Sequence, residues 1–180
     1  PFIIKGPNSS IAISRDSRRL ATGSGDGIVR LWDMNSGKAL LTVKGHSPRT
    51  VEDVEFSPDG KILASAGDDN TDRLWDAASG RELVTLRGHT DWVNKIVFTP
   101  DGKQVVTSSN DNTHRLWDAT TGEELYNFKG HKRFVQTMNI SPDGKMVVTG
   151  SDDGTTKLWD VKTRRELVTL TGDGAKIYAV

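Results

Sequence analysis

An internal repeat of about 42 residues constrains the fold of this chain more than any other feature. A Trp-Asp pair recurs at intervals of 43, 42 and 42 residues, with its tryptophan at Trp32, Trp75, Trp117 and Trp159. A Gly-His pair recurs in the same phase, with its histidine at His46, His89 and His131. A Ser-Pro-Asp-Gly sequence, or Thr-Pro-Asp-Gly in one repeat, follows each Gly-His pair, at 57–60, 99–102 and 141–144. Three markers in fixed phase indicate one structural unit used several times.

The segments between the markers are short runs of β-branched and apolar residues separated by turn-forming residues. In the third repeat this pattern predicts strands over residues 93–98, 104–108, 113–117 and 124–129. Turns are predicted at 100–102, 110–112 and 120–122, and no window has sustained helical spacing. Each repeat is therefore predicted to supply four antiparallel strands, which makes the fold class all-β.

A four-stranded sheet of this size cannot bury both of its faces alone, so such units must stack. The spacing, the two residue pairs and the turn sequence resemble the WD-repeat family of β-propellers over nearly the whole chain. The resemblance implies four WD-type blades that form a partial or half propeller, which a second copy would complete. The implied organisation is a stray outer strand at 1–6, blades at 7–44, 45–87, 88–129 and 130–171, and the start of a further blade at 172–180.

Composition excludes several classes of function. Lysine plus arginine equals aspartate plus glutamate at 24 each, so we expect no binding of nucleic acid or membrane by long-range charge. No stretch approaches the length of apolar residues that a membrane helix needs. The chain has no cysteine, so it has neither disulfides nor thiolate ligands. We expect no cofactor and no metal; the compartment stays unknown, and a cytoplasmic location is favoured.

The histidines and many of the aspartates invite a catalytic interpretation, but the family resemblance assigns them a structural one. It implies a hydrogen-bonded row formed by the Gly-His histidine, a Ser or Thr, a turn Asp and the Trp. The predicted rows are His46, Ser65, Asp69 and Trp75; His89, Thr107, Asp111 and Trp117; and His131, Thr149, Asp153 and Trp159. The first repeat offers Thr22, Asp26 and Trp32 without a histidine. Because buried polar groups need partners and catalysis needs one specialised place, a set that recurs in every blade is not predicted to be an active site.

Some positions depart from the repeat. Three residues before each Trp the chain has Val29, Asp72, His114 and Thr156. Two positions of the first strand vary as well. They hold Ser10 and Ala12 in the first repeat, Asp53 and Glu55 in the second, Lys95 and Val97 in the third, and Thr137 and Asn139 in the fourth. If these side chains face the interior, cross-blade pairs involving Asp72, His114 or Lys95 are expected. The alternative is a solvated position or one that lines the channel.

The candidate partner-binding residues follow from the face that propellers of this family use, which carries the loops between blades and the turns between second and third strands. Trp92 and Phe134 are the leading candidates, because large aromatic side chains with polar neighbours form binding hot spots. The neighbouring candidates are Thr50, Glu52, Asn94, Gln136, Gly25, Asp68, Asn110 and Asp152. The alternative is that either ring packs locally against the adjacent loop.

Four blades leave two apolar faces exposed, which predicts either a longer propeller or two copies that join into a ring of about eight blades. The sequence therefore predicts a non-catalytic scaffold for a protein or peptide partner, which self-associates as a homodimer or higher homo-oligomer. One alternative is a sensor or oligomerisation module of a larger signalling enzyme, such as a kinase or NTPase. Another is a propeller that binds a small ligand or carbohydrate, which is disfavoured because the aromatic positions vary between repeats.

Overall fold

The computed structural model describes residues 8–172 and 174–180, and its secondary structure there consists of sixteen β-strands. Within those ranges no helix is long and apolar enough to cross a membrane. The strands are β1 Asn8–Ile13, β2 Arg19–Ser24, β3 Ile28–Asp33, β4 Ala39–Lys44, β5 Val51–Phe56, β6 Ile62–Gly67, β7 Thr71–Asp76, β8 Glu82–Arg87, β9 Val93–Phe98, β10 Gln104–Ser109, β11 Thr113–Asp118, β12 Glu124–Lys129, β13 Val135–Ile140, β14 Met146–Ser151, β15 Thr155–Asp160 and β16 Arg165–Thr171.

The strands form four separate sheets of four, here called sheets 1 to 4 in chain order. In every sheet the strands lie in sequence order and all neighbours are antiparallel. The all-β class and the four WD-type blades are therefore confirmed. In the third repeat the observed strands differ from the predicted ones by one residue, at the ends of β10 and β11. The outer strand predicted for residues 1–6 lies outside the described residues.

The Pro-Asp-Gly sequences form tight turns between the first and second strands. In sheet 2 the Ser57 hydroxyl donates to an Asp59 carboxylate oxygen at 2.7 Å, and the Gly60 N–H donates to the Ser57 carbonyl at 2.8 Å. Gly60 has a φ of 69°, in the left-handed region that glycine enters without steric cost. The marker motif is thus a requirement of the turn geometry.

The turns between the second and third strands also need a left-handed residue. That residue is Gly27 in sheet 1, Asn70 in sheet 2, Asn112 in sheet 3 and Gly154 in sheet 4. Glycine and asparagine are the two residue types that most readily adopt this conformation. At Gly27 there is also no space, because a Cβ atom would lie 2.4 Å from the Ser47 backbone nitrogen in the next loop.

Consecutive sheets pack face to face, and the first strands β1, β5, β9 and β13 contact one another in turn. A buried apolar cluster fills each of the three spaces between sheets. Between sheets 2 and 3, for example, Leu74 and Leu86 pack with Ile96 and Trp117. Since burial of apolar area is the main favourable term in folding, each sheet is stabilised mainly by its neighbours. The first strand of each sheet is innermost and the fourth is outermost.

The two outward faces of the array lack this cover. Ile11 in sheet 1 is 67% exposed, whereas its counterpart Val54 in sheet 2 is 1% exposed. Leu170 in sheet 4 is 61% exposed, whereas its counterpart Phe128 in sheet 3 is 1% exposed. The sheet faces that are buried between blades in the middle of the array are therefore open to solvent at both ends.

Residues 174–180 form no strand, but part of this segment lies where the inner strand of a next sheet would begin. A Cβ atom on Gly150 would lie 2.5 Å from Ile177 Cγ2, just as one on Gly23 would lie 2.6 Å from Val51 Cγ1. The Ile177 N–H donates to the Ser151 carbonyl at 3.1 Å. The further blade predicted from residue 172 stays a prediction.

Candidate protein-interaction face

The recurring histidines lie in hydrogen-bonded rows. In sheet 3, His89 Nδ1 lies 2.8 Å from an Asp111 oxygen and His89 Nε2 lies 2.8 Å from Thr107 Oγ1. The Trp117 indole N–H donates to the same hydroxyl oxygen at 2.8 Å. An ionised carboxylate only accepts, so Nδ1 carries the proton and the Thr107 hydroxyl donates to Nε2. The corresponding rows of sheets 2 and 4 have their contacts between 2.8 and 3.0 Å.

Burial favours neutral histidine in the rows of sheets 3 and 4, and hydrogen bonds favour ionised aspartate in all three rows. Burial lowers the pKa of His89 despite its contact with Asp111. Burial alone would raise the pKa of Asp69, but the hydrogen bonds from His46 and Thr71 outweigh it and bring that pKa to about 2. The row resembles a catalytic triad, yet the Thr107 side chain is completely buried and the row recurs in each of three sheets. A substrate has no access to that hydroxyl in the folded sheet.

Sheet 1 has a different arrangement at the equivalent place. The Trp32 indole N–H still donates to Thr22 Oγ1, at 3.1 Å. Asp26, however, pairs with Arg30 at 3.0 Å and with the Ser24 hydroxyl. Arg30 and Ser24, in that order of strength, lower the pKa of Asp26 to about 2. In sheet 1 the Arg30 guanidinium thus donates the close hydrogen bond to the aspartate that a histidine donates in the other sheets.

A cross-blade ion pair joins sheets 2 and 3 at their inner strands. Lys95 Nζ lies 3.1 Å from an Asp53 carboxylate oxygen, and the Ile96 N–H donates to the same carboxylate at 3.1 Å. A cross-blade pair was one of the two alternatives that the sequence left open for Lys95. Burial, and then the charge of Asp53, raise the pKa of neighbouring Glu55 to about 7.

Within the described ranges, Asp72 and His114 lack the polar cross-blade partners that were one of the two alternatives for these positions. Asp72 is 0% exposed, and neither of its carboxylate oxygens has a hydrogen-bond partner within the described residues. Burial raises the pKa of Asp72 well above its ordinary value, which favours the neutral acid. His114 instead stacks on Phe128 and meets Trp159 of sheet 4 edge-on, with centroid distances of 4.4 and 4.6 Å. The solvated alternative is also wrong at both positions, because both side chains are buried.

Trp92 and Phe134 lie on the loop face at equivalent positions of sheets 3 and 4, each directly before an inner strand. Their side chains are 46% and 43% exposed. The Trp92 carbonyl accepts the Asn110 N–H at 2.9 Å, and the Phe134 carbonyl accepts the Asp152 N–H at 3.0 Å. Each aromatic residue is therefore tied through its backbone to the adjacent turn, while almost half of its side chain stays in contact with solvent.

The polar residues predicted beside them are less exposed than expected. Asn94 donates to Asn110 Oδ1 at 2.8 Å and to the Val135 carbonyl of the next sheet at 3.0 Å, so this pair links two blades. Asp152 was expected to be exposed, and this is wrong: its side chain is buried because Lys176 Nζ covers it at 2.6 Å. The half-buried candidates are Thr50, Glu52, Asp68, Asn94, Asn110 and Gln136.

A pocket of about 360 Å³ lies beside Phe134, and the sequence analysis did not identify its basic residues. Its lining consists of Asn112, Lys132, Arg133, Phe134, Asp152 and Lys176. The signal that could have revealed it is the basic pair Lys132-Arg133 directly before the aromatic residue.

Among the described residues, no group of three or more His, Asp or Glu side chains is placed to hold a metal ion.

Comparison with known families gives one consistent result. The family described as WD domain, G-beta repeat matches residues 4–33, 37–76, 80–118 and 122–160. The second of these segments contains β4 of sheet 1 together with β5, β6 and β7 of sheet 2. Each family repeat after the first thus begins with the outer strand of one sheet and continues with three strands of the next, which links consecutive sheets covalently.

Curated relatives match over short segments. Mitochondrial division protein 1 of Saccharomyces cerevisiae is 64% identical over 28 residues, which is 16% of this chain and 4% of that protein. An uncharacterized WD repeat-containing protein of Nostoc is 48% identical over 44 residues, which is 24% of this chain and 3% of that protein. Ribosome assembly protein 4 of Chaetomium thermophilum is 58% identical over 31 residues, covering 17% and 6%. The chain thus covers only a small part of the length of these relatives.

Proposed function

This chain belongs to the WD40 family of G-beta repeat proteins, whose repeats form protein-interaction scaffolds, and we propose that it is a non-catalytic scaffold with its binding site on the loop face. The observation that carries this proposal is the pair Trp92 and Phe134. Two large aromatic side chains are exposed at equivalent positions of adjacent sheets, and their backbones are fixed by hydrogen bonds. Aromatic side chains on a rigid surface lose little conformational entropy on binding, which makes them effective hot spots.

The polar surroundings of the two rings support the same function. The side chain of Asn94 joins the turn of its own sheet to the inner strand of sheet 4, so the surface between Trp92 and Phe134 is held by both blades. Such a surface keeps its shape when a partner binds. A partner that inserts an apolar side chain beside either ring would bury aromatic surface area. Its polar groups would then contact the half-buried polar residues around the two rings.

Capture of partners by the wild-type chain and a Trp92→Ala, Phe134→Ala double variant tests this proposal. We expect the double variant to lose the partners that the wild type recovers, because truncation of an aromatic hot spot typically costs about 2 kcal/mol or more. A Leu40→Ala, Leu83→Ala variant is the matched control, since it removes exposed apolar side chains from outer strands. Equal recovery of all partners by the wild type and the Trp92, Phe134 variant would contradict a binding site on this face.

We further propose that a second copy of the chain covers the exposed end faces and completes the ring. The open face of sheet 1 carries Ile11 and Ile13, and the open face of sheet 4 carries Val168 and Leu170. These side chains occupy the positions that fill the buried clusters between inner sheets. Outside the inner-strand position that residues 174–180 occupy, sheet 4 of one copy therefore offers sheet 1 of another an apolar surface of the kind that sheets 1 to 3 offer their own successors.

A further inference from the structure

We propose that the pocket beside Phe134 binds an acidic peptide segment of the protein partner, with an apolar side chain against the ring and carboxylates on Lys132 and Arg133. This proposal rests on the proposed scaffold function and specifies the chemistry of its partner. The pocket combines an aromatic ring with three cationic side chains, and its one carboxylate, Asp152, is already paired with Lys176.

Lys132 and Arg133 are the two cations of this pocket that are available to a ligand. Both residues are exposed, and neither side chain forms an ion pair or hydrogen bond with any residue in the described ranges. Lys176 differs, because its ammonium group already contacts Asp152 at 2.6 Å. An incoming carboxylate would thus meet two uncompensated positive charges on neighbouring residues.

The backbone of the segment 132–134 is anchored, although its side chains are free. The Lys132 N–H donates to an Asp153 carboxylate oxygen at 2.8 Å, and the Arg133 carbonyl accepts the Ser151 hydroxyl at 3.0 Å. The Phe134 carbonyl accepts the Asp152 N–H. Three consecutive residues are therefore held against one turn before any ligand arrives. Preorganisation of this kind lowers the entropic cost of binding.

The basic pair is specific to sheet 4 and is not a property of the repeat. In sheet 3 the equivalent residues are Thr90 and Asp91, and their backbones make the same contacts: the Thr90 N–H bonds Asp111 at 3.1 Å and the Asp91 carbonyl accepts Ser109 at 2.9 Å. The backbone anchor therefore does not require cations. Because the whole chain has no net charge, the positive charge at this loop is local.

Charge complementarity points to a peptide with carboxylates. Arginine presents a planar fork that binds a carboxylate through two parallel hydrogen bonds, and lysine adds a second positive charge. The exposed face of Phe134 needs an apolar contact, which a peptide provides beside its acidic residues. A groove with one ring and two free cations thus matches an acidic segment that contains an apolar residue.

Selection from a phage-displayed library of random linear peptides on the full chain tests the proposal. We expect the selected pool to be enriched in Asp and Glu next to an apolar residue. Binding of a peptide from this pool should weaken about fivefold to tenfold in a Lys132→Ala, Arg133→Ala variant, as for two partly exposed ion pairs. It should weaken at least about tenfold in Phe134→Ala. An Arg18→Ala, Lys103→Ala variant removes the same charges from exposed turns between first and second strands and should bind as the wild type does.

Several outcomes would overturn the proposal. These are a selected pool without acidic enrichment, no selected pool at all, or peptides that bind the Lys132, Arg133 variant as tightly as the wild type. Single-stranded RNA or phosphatidylserine vesicles that bind this pocket more tightly than the selected peptide would also overturn it. If partner capture still depends on Trp92 and Phe134 in any of these cases, the scaffold proposal stands and only the acidic partner is rejected.

Discussion

Val29 in sheet 1 shows which side chain the third strand accommodates at the position that Asp72 occupies in sheet 2. Both residues lie three positions before the Trp of their sheet and both are buried. Asp72, however, places between sheets 2 and 3 a carboxyl group that has no hydrogen-bond partner among the described residues. A buried polar group without a hydrogen bond lowers stability, since it loses its water and gains no replacement. Asp72 therefore makes the folded chain less stable than an apolar residue at the same position would.

We expect Asp72→Val to raise the free energy of unfolding by about 1–3 kcal/mol, because valine has a similar size and needs no polar partner. Urea unfolding of the variant and the wild type at neutral pH measures this change. Asp72→Asn is the control: it keeps an unpartnered polar group in the same space and should give a much smaller gain. A loss of stability in Asp72→Val would mean that the carboxyl group makes a stabilising contact.

Individual residues were predictable where a marker fixes their position. The His89, Thr107, Asp111 and Trp117 set was expected because the resemblance to WD repeats could be carried over position by position from the markers. The isolation of Asp72 was not predictable, because it depends on which side chains the neighbouring sheet presents. The burial of Asp152 likewise depends on Lys176, which lies 24 residues further along the chain.

At the level of elements, the turns explain why the strands were predicted so closely. Glycine and asparagine readily adopt the left-handed backbone that these turns need at Gly60 and Asn112, so they mark where strands end. The way in which the inner strands of neighbouring sheets lie against one another was not predictable from the turns. Strand β5 carries Glu52, Asp53 and Glu55, while β9 carries Lys95, and only the packing of sheets 2 and 3 brings Lys95 to Asp53. The sequence could name candidates for this pairing but could not rank them.

The inner strands of sheets 2 and 3 give this region a pH-dependent stability. Glu55 has a folded pKa of about 7 against an ordinary value of 4.5, because burial and the Asp53 charge oppose its ionisation, although Lys95 partly offsets them. The penalty for ionised Glu55 is absent below about pH 4.5 and fully present above about pH 7. Its contribution to stability therefore falls as the pH rises through this window, by roughly 3 kcal/mol.

We expect Glu55→Gln to remove this part of the pH dependence, so the variant gains stability over the wild type at pH 8 and little at pH 4.5. Urea unfolding at both pH values gives the difference. The comparison between the two proteins is needed because buried His89 and His131, whose pKa values are lowered, make both proteins less stable on acidification. Asp53 and Asp72 also have raised pKa values and are common to both. A gain that is the same at both pH values would contradict the role of Glu55 ionisation.

On the scale of the whole molecule, each blade is stabilised by the blades beside it. A sheet in the middle of the array has a neighbour on both faces, whereas the sheet at each end has a neighbour on one face only. Each inner face buries a cluster of the type formed by Leu74, Leu86, Ile96 and Trp117. The sequence predicted the blades because the Trp-Asp pair recurs in all four repeats and the other two markers recur in three of them. The basic pair directly before Phe134 is visible in the sequence, but the pairing of Asp152 with Lys176, which leaves Lys132 and Arg133 without a carboxylate partner in the described residues, is not.

The open end faces carry the last prediction. Burial of a large apolar side chain contributes about 1.5–3 kcal/mol, so covering Ile11, Ile13, Val168 and Leu170 gives a large driving force for a contact between copies. We expect sedimentation velocity to show a dimer of the 180-residue chain whose population rises with concentration. An Ile11→Lys, Leu170→Lys variant should shift to monomer, since each lysine would place a charge in an apolar contact.

Leu40→Lys is the matched control for this experiment, because Leu40 is exposed on the outer strand of sheet 1. It should leave the dimer intact. A wild-type chain that sediments as a monodisperse monomer at every concentration would contradict self-association through the end faces. An assembly that persists in the Ile11, Leu170 variant but dissociates in Leu40→Lys would place the contact on the outer strands instead. The two substitutions thus separate a ring closed face to face from copies joined at their edges, since only the first buries both Ile11 and Leu170.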